Sequence, residues 1–145
     1  MARRTARTAW NGSLSDGSGQ VELSSSKVGT FDVSWPRRTA DEAEGVTSPE
    51  ELVAAALSSC YSMALSGALG RAGGTVQALE VTATAELGPD PAGGVRIQTI
   101  ELVVRGEVDG VDEAGFVQAA EATKTGCPVS KALTGTTITL DAALA

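Results

Sequence analysis

The chain has 145 residues, 42% of them apolar but only 3% aromatic, which is enough for one compact core built from alanine, valine and leucine. Its 18 acidic and 11 basic residues give a net charge of −7, which argues against a general affinity for nucleic acid or an anionic membrane and leaves neutral small molecules or proteins as the expected partners. There is no histidine, so Ser-His-Asp and Cys-His catalysis and histidine-ligated zinc are excluded, and any chemistry must rest on cysteine, carboxylate, arginine or lysine.

The opening Met1-Ala2-Arg3-Arg4-Thr5-Ala6-Arg7 is basic, but no apolar run follows, so a secretory leader is not predicted and a cytoplasmic setting is. Thr5 to Trp10 is predicted as a strand, Asn11-Gly12 as a turn, Gly19 to Ser24 as a second strand by period-two alternation, and Thr30 to Trp35 as a third. Asn11-Gly12-Ser13 also spells a glycosylation sequon, which in a cytosolic chain reads as a turn. Pro36 to Val46 is charged and aperiodic, hence a loop, and its Arg37-Arg38 pair reads on local grounds as solvated surface charge.

Thr47-Ser48-Pro49-Glu50-Glu51 marks a helix start: Ser48 can cap, Pro49 suits the first helical position, and Glu51 stands three residues on as in a capping box. The helix is predicted to run to about Ala72, stopped by Gly73-Gly74, and to span roughly 36 Å. Gly70 to Gly74 follows a helix, not a strand, so it is a C-terminal stop and not a phosphate loop. Only Ser58, Ser59, Ser62 and Ser66 interrupt the apolar surface, which predicts burial nearly all round. A domain of this size cannot hide such a rod alone, and a twofold homodimer is the simplest cover.

Leu79 to Ala85 and Ile97 to Val108 alternate around a Pro89 to Gly94 turn, predicting a second hairpin. Asp112 to Thr125 has helical spacing, Gly126-Cys127-Pro128 breaks it, Val129 to Leu133 is a short helical piece, and Thr137 to Leu140 is a last strand. The order βββ-α-ββ-α-α-β is α+β, in a single domain over residues 1–145 without repeats.

Cys60 and Cys127 are the only cysteines. Cys60, mid-helix among alanines and leucines, reads equally as a small buried hydrophobe or as a reactive thiol, and the second role needs a cation against the sulfur. Cys127 precedes Pro128 at the start of a short helix, where amide hydrogens and the helix dipole favour a thiolate, although a plain cap has the same position. With 67 residues between them they form neither a CxxC motif nor a zinc set, and sequence leaves open whether they meet.

The run Ser48-Pro49-Glu50-Glu51-Leu52-Val53-Ala54-Ala55-Ala56-Leu57-Ser58-Ser59-Cys60-Tyr61-Ser62-Met63-Ala64-Leu65, with Gly126-Cys127-Pro128-Val129-Ser130-Lys131-Ala132-Leu133 downstream, resembles the OsmC/Ohr family of cysteine-based hydroperoxide reductases, and its OsmC branch in particular. The resemblance extends from the Ala9-Trp10-Asn11-Gly12 turn to the Ile138-Thr139-Leu140 strand. It implies an intertwined homodimer with two long central helices wrapped by antiparallel sheets. Cys60 would be the peroxidatic thiol that reduces organic hydroperoxides, with hydrogen peroxide as a second candidate substrate, becoming a sulfenic acid. Cys127 would resolve it as a Cys60–Cys127 disulfide, reopened by an external dithiol or lipoylated protein, with no metal, haem or flavin cofactor.

The resemblance also assigns an assisting glutamate and arginine, which match Glu50 and Arg38, with Arg37 the alternative to the latter. Glu50 stands ten residues before Cys60 on one predicted helix, roughly 15 Å away, so it would serve the second subunit's site. Three other readings use the same residues: a hydroperoxide sensor without turnover, a hydrolase with Cys60 as acyl nucleophile but no histidine base, and a non-catalytic dimeric binding protein.

Overall fold

The structure is a computed structural model that describes all residues, Met1–Ala145. Two compact units divide the chain, Met1–Leu52 and Val53–Ala145.

In the first unit the period-two segments form an antiparallel meander of β1 (Arg7–Asn11), β2 (Ser18–Glu22) and β3 (Thr30–Val33), with Trp10 opposite Gly19 and Val21 opposite Phe31. Gly12 takes φ +91°, the left-handed conformation that suits glycine, and the turn it opens continues to Gly17, whose amide donates to the Ser13 carbonyl at 2.8 Å. The predicted third strand stops early, and the predicted loop begins as a helical turn, α1 (Trp35–Arg38). Ser34, extended at φ −153° and ψ 154°, accepts from the Arg37 amide, and Pro36 suits the first turn, so capping overrides the β preference of Trp35.

Helix α2 (Pro49–Arg71) begins and ends where the sequence signals it. The Glu51 amide donates to Ser48 Oγ at 3.1 Å, while the Glu51 carboxylate takes the Thr47 hydroxyl in place of a backbone amide. At the other end Gly73 is left-handed and the Gly74 amide returns to the Leu69 carbonyl at 2.9 Å.

The second unit holds the long hairpin β4 (Thr75–Pro89) and β5 (Val95–Asp109), then α3 (Glu113–Gly126), α4 (Pro128–Ala132) and β6 (Thr137–Leu144). This sheet corrects the expectation of purely antiparallel pairing: β6 runs parallel to β5, with Leu102 opposite Leu140. A parallel partner needs a crossover, and α3 with α4 supplies one between Asp109 and Thr137.

Every fourth residue of α2, namely Leu57, Tyr61, Leu65 and Leu69, is fully buried, in one cluster with Ile100, Leu102 and Val104 of β5, Phe116 and Ala120 of α3, and Cys127. Each such aliphatic side chain contributes about 1.5–3 kcal/mol by burial. The same alternation on β5 reaches Gly106, where a Cβ would lie 2.6 Å from the Phe116 ring, so glycine is what lets that ring close on the strand. Burial of α2 nearly all round does not occur within one chain: Ala56, Ser59, Met63, Ser66 and Gly70 stay exposed, Met63 at 74%. By length and composition α2 could also cross a membrane, but its leucine and tyrosine stripe is committed to the core cluster.

Candidate active site

Pro128 disfavours a helical conformation at the residue before it, so the α3 helix ends at Cys127 and a new one starts. Cys127 is therefore the C-cap of α3, its amide donating to the Thr123 carbonyl at 3.0 Å, and also the N-cap of α4, with φ −60° and ψ 132°. Its side chain is 0% exposed and packs in the core cluster beside half-buried Cys60 of α2.

The two sulfurs lie 3.1 Å apart, sharing one hydrogen bond in which the sulfur that keeps its proton is the donor. Both are free thiols. The question left open by their distance in sequence is thus resolved by the fold, and bonding them requires only a small side-chain adjustment.

Their protons are held unequally. Burial pushes the Cys60 thiol above the ordinary range, and the hydrogen bond with Cys127 adds to this against a smaller opposing effect of the Val129 amide. Burial also acts to raise Cys127, but the Ser130 amide, the Cys60 thiol and the Val129 amide outweigh it and bring the Cys127 thiol below its usual range. No geometric cap hydrogen bond closes from the Cys127 side chain. The effect on the thiolate is that of the nearby amide dipoles, the Cys60 thiol and, as a smaller contribution, the Ser130 hydroxyl.

Two buried polar side chains support this pair, and local sequence pattern singles out neither. Tyr61, next to Cys60 and fully buried, donates its hydroxyl to the Ala120 carbonyl at 2.7 Å and so ties α2 to α3. Burial drives its pKa well above the usual tyrosine value, with the charges of Glu121 and Cys127 acting in the same direction. Ser130, in the first turn of α4, is 7% exposed.

The first unit holds the other predicted pair. Arg38, at the end of α1, grips Glu50 in a fork: Nε donates to Oε1 and Oε2 at 3.1 and 3.2 Å, and Nη2 donates to Oε1 at 2.6 Å. Glu50 is only 9% exposed, and the guanidinium lies 5.6 Å from the centroid of the Trp35 ring. Arg37 points elsewhere and pairs with exposed Glu44. Beside Arg38 is an open cavity of about 450 Å³ with mostly apolar walls, including Trp10, Leu14, Val21, Trp35 and Leu52. The four predicted residues therefore form two pairs, Cys60 with Cys127 in the second unit and Arg38 with Glu50 in the first. No group of three or more cysteine, aspartate or glutamate side chains is placed to hold a metal ion.

An α+β chain whose chemistry centres on a thiol pair in contact is a thiol-based redox protein in form. Residues 41–141 match the family model described as OsmC-like protein. The chain is 38% identical over 132 residues to the peroxiredoxin OsmC of Escherichia coli (strain K12), an alignment covering 91% of this chain and 90% of that one. Among solved structures, the organic hydroperoxide resistance protein OhrB of Bacillus subtilis matches with a TM-score of 0.73 and 26% identity, over 95% of this chain and 97% of that one. An OsmC-like protein of Vibrio cholerae matches with a TM-score of 0.77 over 98% and 99% of the two chains, and at 17% identity it speaks for the fold alone. The chain belongs to the OsmC family.

Proposed function

We propose that this protein, a cysteine-based peroxidase by its kinship with peroxiredoxin OsmC, reduces organic hydroperoxides through a Cys60 sulfenic acid and a Cys60–Cys127 disulfide. The observation that carries this reading is the 3.1 Å separation of the two sulfurs, since a sulfenic acid formed on one can be captured by the other without rearrangement of the backbone.

The Cys60 thiolate attacks the terminal peroxide oxygen. The O–O bond breaks, the alkoxide takes a proton and leaves as an alcohol, and Cys60 keeps the hydroxyl as a sulfenic acid. The Cys127 thiolate then attacks the Cys60 sulfur and displaces hydroxide, which leaves as water once protonated. A dithiol, such as a lipoyl group, reopens the disulfide by exchange.

Within one chain the thiolate is favoured on Cys127, so attack by Cys60 calls for a cation brought to it. Glu50 and Cys60 are ten residues apart on α2, too far for hydrogen bonding along one helix. In the reading proposed here the protein is a homodimer in the cytoplasm, and Arg38, oriented by Glu50, reaches Cys60 of the other copy. The guanidinium then stabilises the Cys60 thiolate and orients the peroxide, and the apolar cavity beside Arg38 receives the organic group.

Intact mass after one equivalent of an organic hydroperoxide tests the cycle. The reduced protein should quickly lose two hydrogens, the Cys127→Ser variant should stop at a sulfenic acid, and Cys60→Ser should not react. Rapid oxidation without recycling by dithiols would favour a sensor, and no oxidation would sink the peroxidase reading.

A further inference from the structure

Ser130 stands apart from every other buried residue: its hydroxyl is the single buried side-chain polar atom with no hydrogen-bond partner. Burying a hydroxyl unsatisfied costs free energy, so its place calls for an explanation. It occupies the third position of α4, and Cys127 is that helix's N-cap. Side chains at these two positions face each other, which is the geometry by which capping boxes form. The Cys127 sulfur stands at the N-cap of the same helix, three residues back, and is a weak acceptor as a thiol and a strong one as a thiolate. While that sulfur is engaged with Cys60 the hydroxyl closes no hydrogen bond, yet it stands near enough to favour the thiolate.

We propose that Ser130 is a positioning residue for Cys127, donating its hydroxyl hydrogen bond when Cys127 leaves the disulfide as a thiolate, so that the reductant attacks Cys60. The inference rests on the disulfide cycle proposed above. Access agrees with it, because Cys127 is fully buried and Cys60 is half-buried, leaving the Cys60 sulfur as the one an incoming thiol can meet. Leaving-group strength agrees as well, since the better-stabilised thiolate departs faster. One reductant thiolate bonds to Cys60 Sγ, the Cys60–Cys127 bond breaks, and its electron pair goes to Cys127 Sγ, which the Ser130 hydroxyl and the α4 amides receive. The second reductant thiol then attacks the reductant's own sulfur in the mixed disulfide, expels Cys60 as a thiolate and closes the reductant's disulfide. The reductant loses two electrons and two protons, and both return to the cysteine pair.

The disulfide is formed with diamide, which needs no peroxidase activity, and its reduction by dithiothreitol is timed in the native protein, Ser130→Ala and Ser130→Thr. Ser130→Ala should slow reduction about threefold, and Ser130→Thr, which keeps the hydroxyl, should restore the rate. In a Cys60→Ser background, thiolate absorbance should place the Cys127 pKa about one unit higher with Ser130→Ala, which the fractional dependence of exchange rate on thiol pKa turns into that change of about threefold. Acid quenching during reduction by excess glutathione should find the adduct on Cys60. Unchanged rate and pKa in Ser130→Ala, or the adduct on Cys127, would overturn the proposal. Should the diamide-formed disulfide behave as expected while hydroperoxide fails to oxidise the thiols, the role of Ser130 stands and the peroxidase reading falls.

Discussion

Burial alone would keep both thiols protonated, and what separates them is that Cys127 sits at the end of a helix while Cys60 sits in the middle of one. The same reasoning distinguishes the two arginines. Arg38 holds Glu50 with a planar fork, and lysine can keep the charge but not the fork. Arg38→Lys should therefore lower kcat/KM by about tenfold to a hundredfold, a loss of about 1.4–2.7 kcal/mol in transition-state stabilisation, while Arg37→Lys should leave it within about twofold. Initial rates with an organic hydroperoxide decide this, and equal losses at both positions would refute it. Tyr61 gives a pH prediction. Its pKa is raised in the folded state, so the stability it contributes is fully present below the unfolded value of about 10 and is lost as pH rises through the higher folded value. Tyr61→Phe should flatten the fall of stability above about pH 10 and cost about 1 kcal/mol at neutral pH, as read from denaturant midpoints. The cysteines stand out in sequence because thiols are scarce, whereas Arg38 and Glu50 are marked as site residues only by the resemblance to the OsmC/Ohr family, since locally one reads as surface charge and the other as a first-turn carboxylate. Tyr61 and Ser130 could not be singled out, because each stands near a cysteine in sequence but its burial depends on chain segments far away.

At the scale of elements, the helix ends were readable because Ser48, Pro49, Gly73 and Gly74 act on their own neighbours. The same chemistry acts at Ser34 and Pro36, where a capped turn, α1, replaces the end of the predicted strand. This turn is what carries Arg38. The parallel pairing of β6 was not readable, since Thr137 to Leu140 alternates identically whichever direction its neighbour runs. On β5, Gly106 and Phe116 offer a test of packing. A Cβ at Gly106 would meet the Phe116 ring at 2.6 and 2.8 Å, and that ring is fully buried. Gly106→Ala should destabilise the protein by about 1–3 kcal/mol in chemical denaturation, and an unchanged midpoint would show the ring to be mobile.

For the whole molecule, the exposed face of α2 around Met63 is consistent with the proposed homodimer, and subunit exchange tests whether the site is shared. Mixed Cys60→Ser and Glu50→Ala proteins, each inactive alone, should regain about a quarter of native activity on exchange, because random pairing leaves one intact site in half of the dimers. No recovery, with exchange verified by mass, would place Glu50 and Cys60 in one subunit's site. The sequence by itself determined the α+β class, the ends of the long helix and the exclusion of histidine chemistry, since propensity, capping and composition are properties of residues and their immediate neighbours. Only the tertiary structure decided that Cys60 and Cys127 touch, that Arg38 and not Arg37 holds Glu50, and that Ser130 is buried beside a sulfur. The first two are distances between residues apart in sequence and the third is a burial, and packing of the core sets all of them where no local preference can.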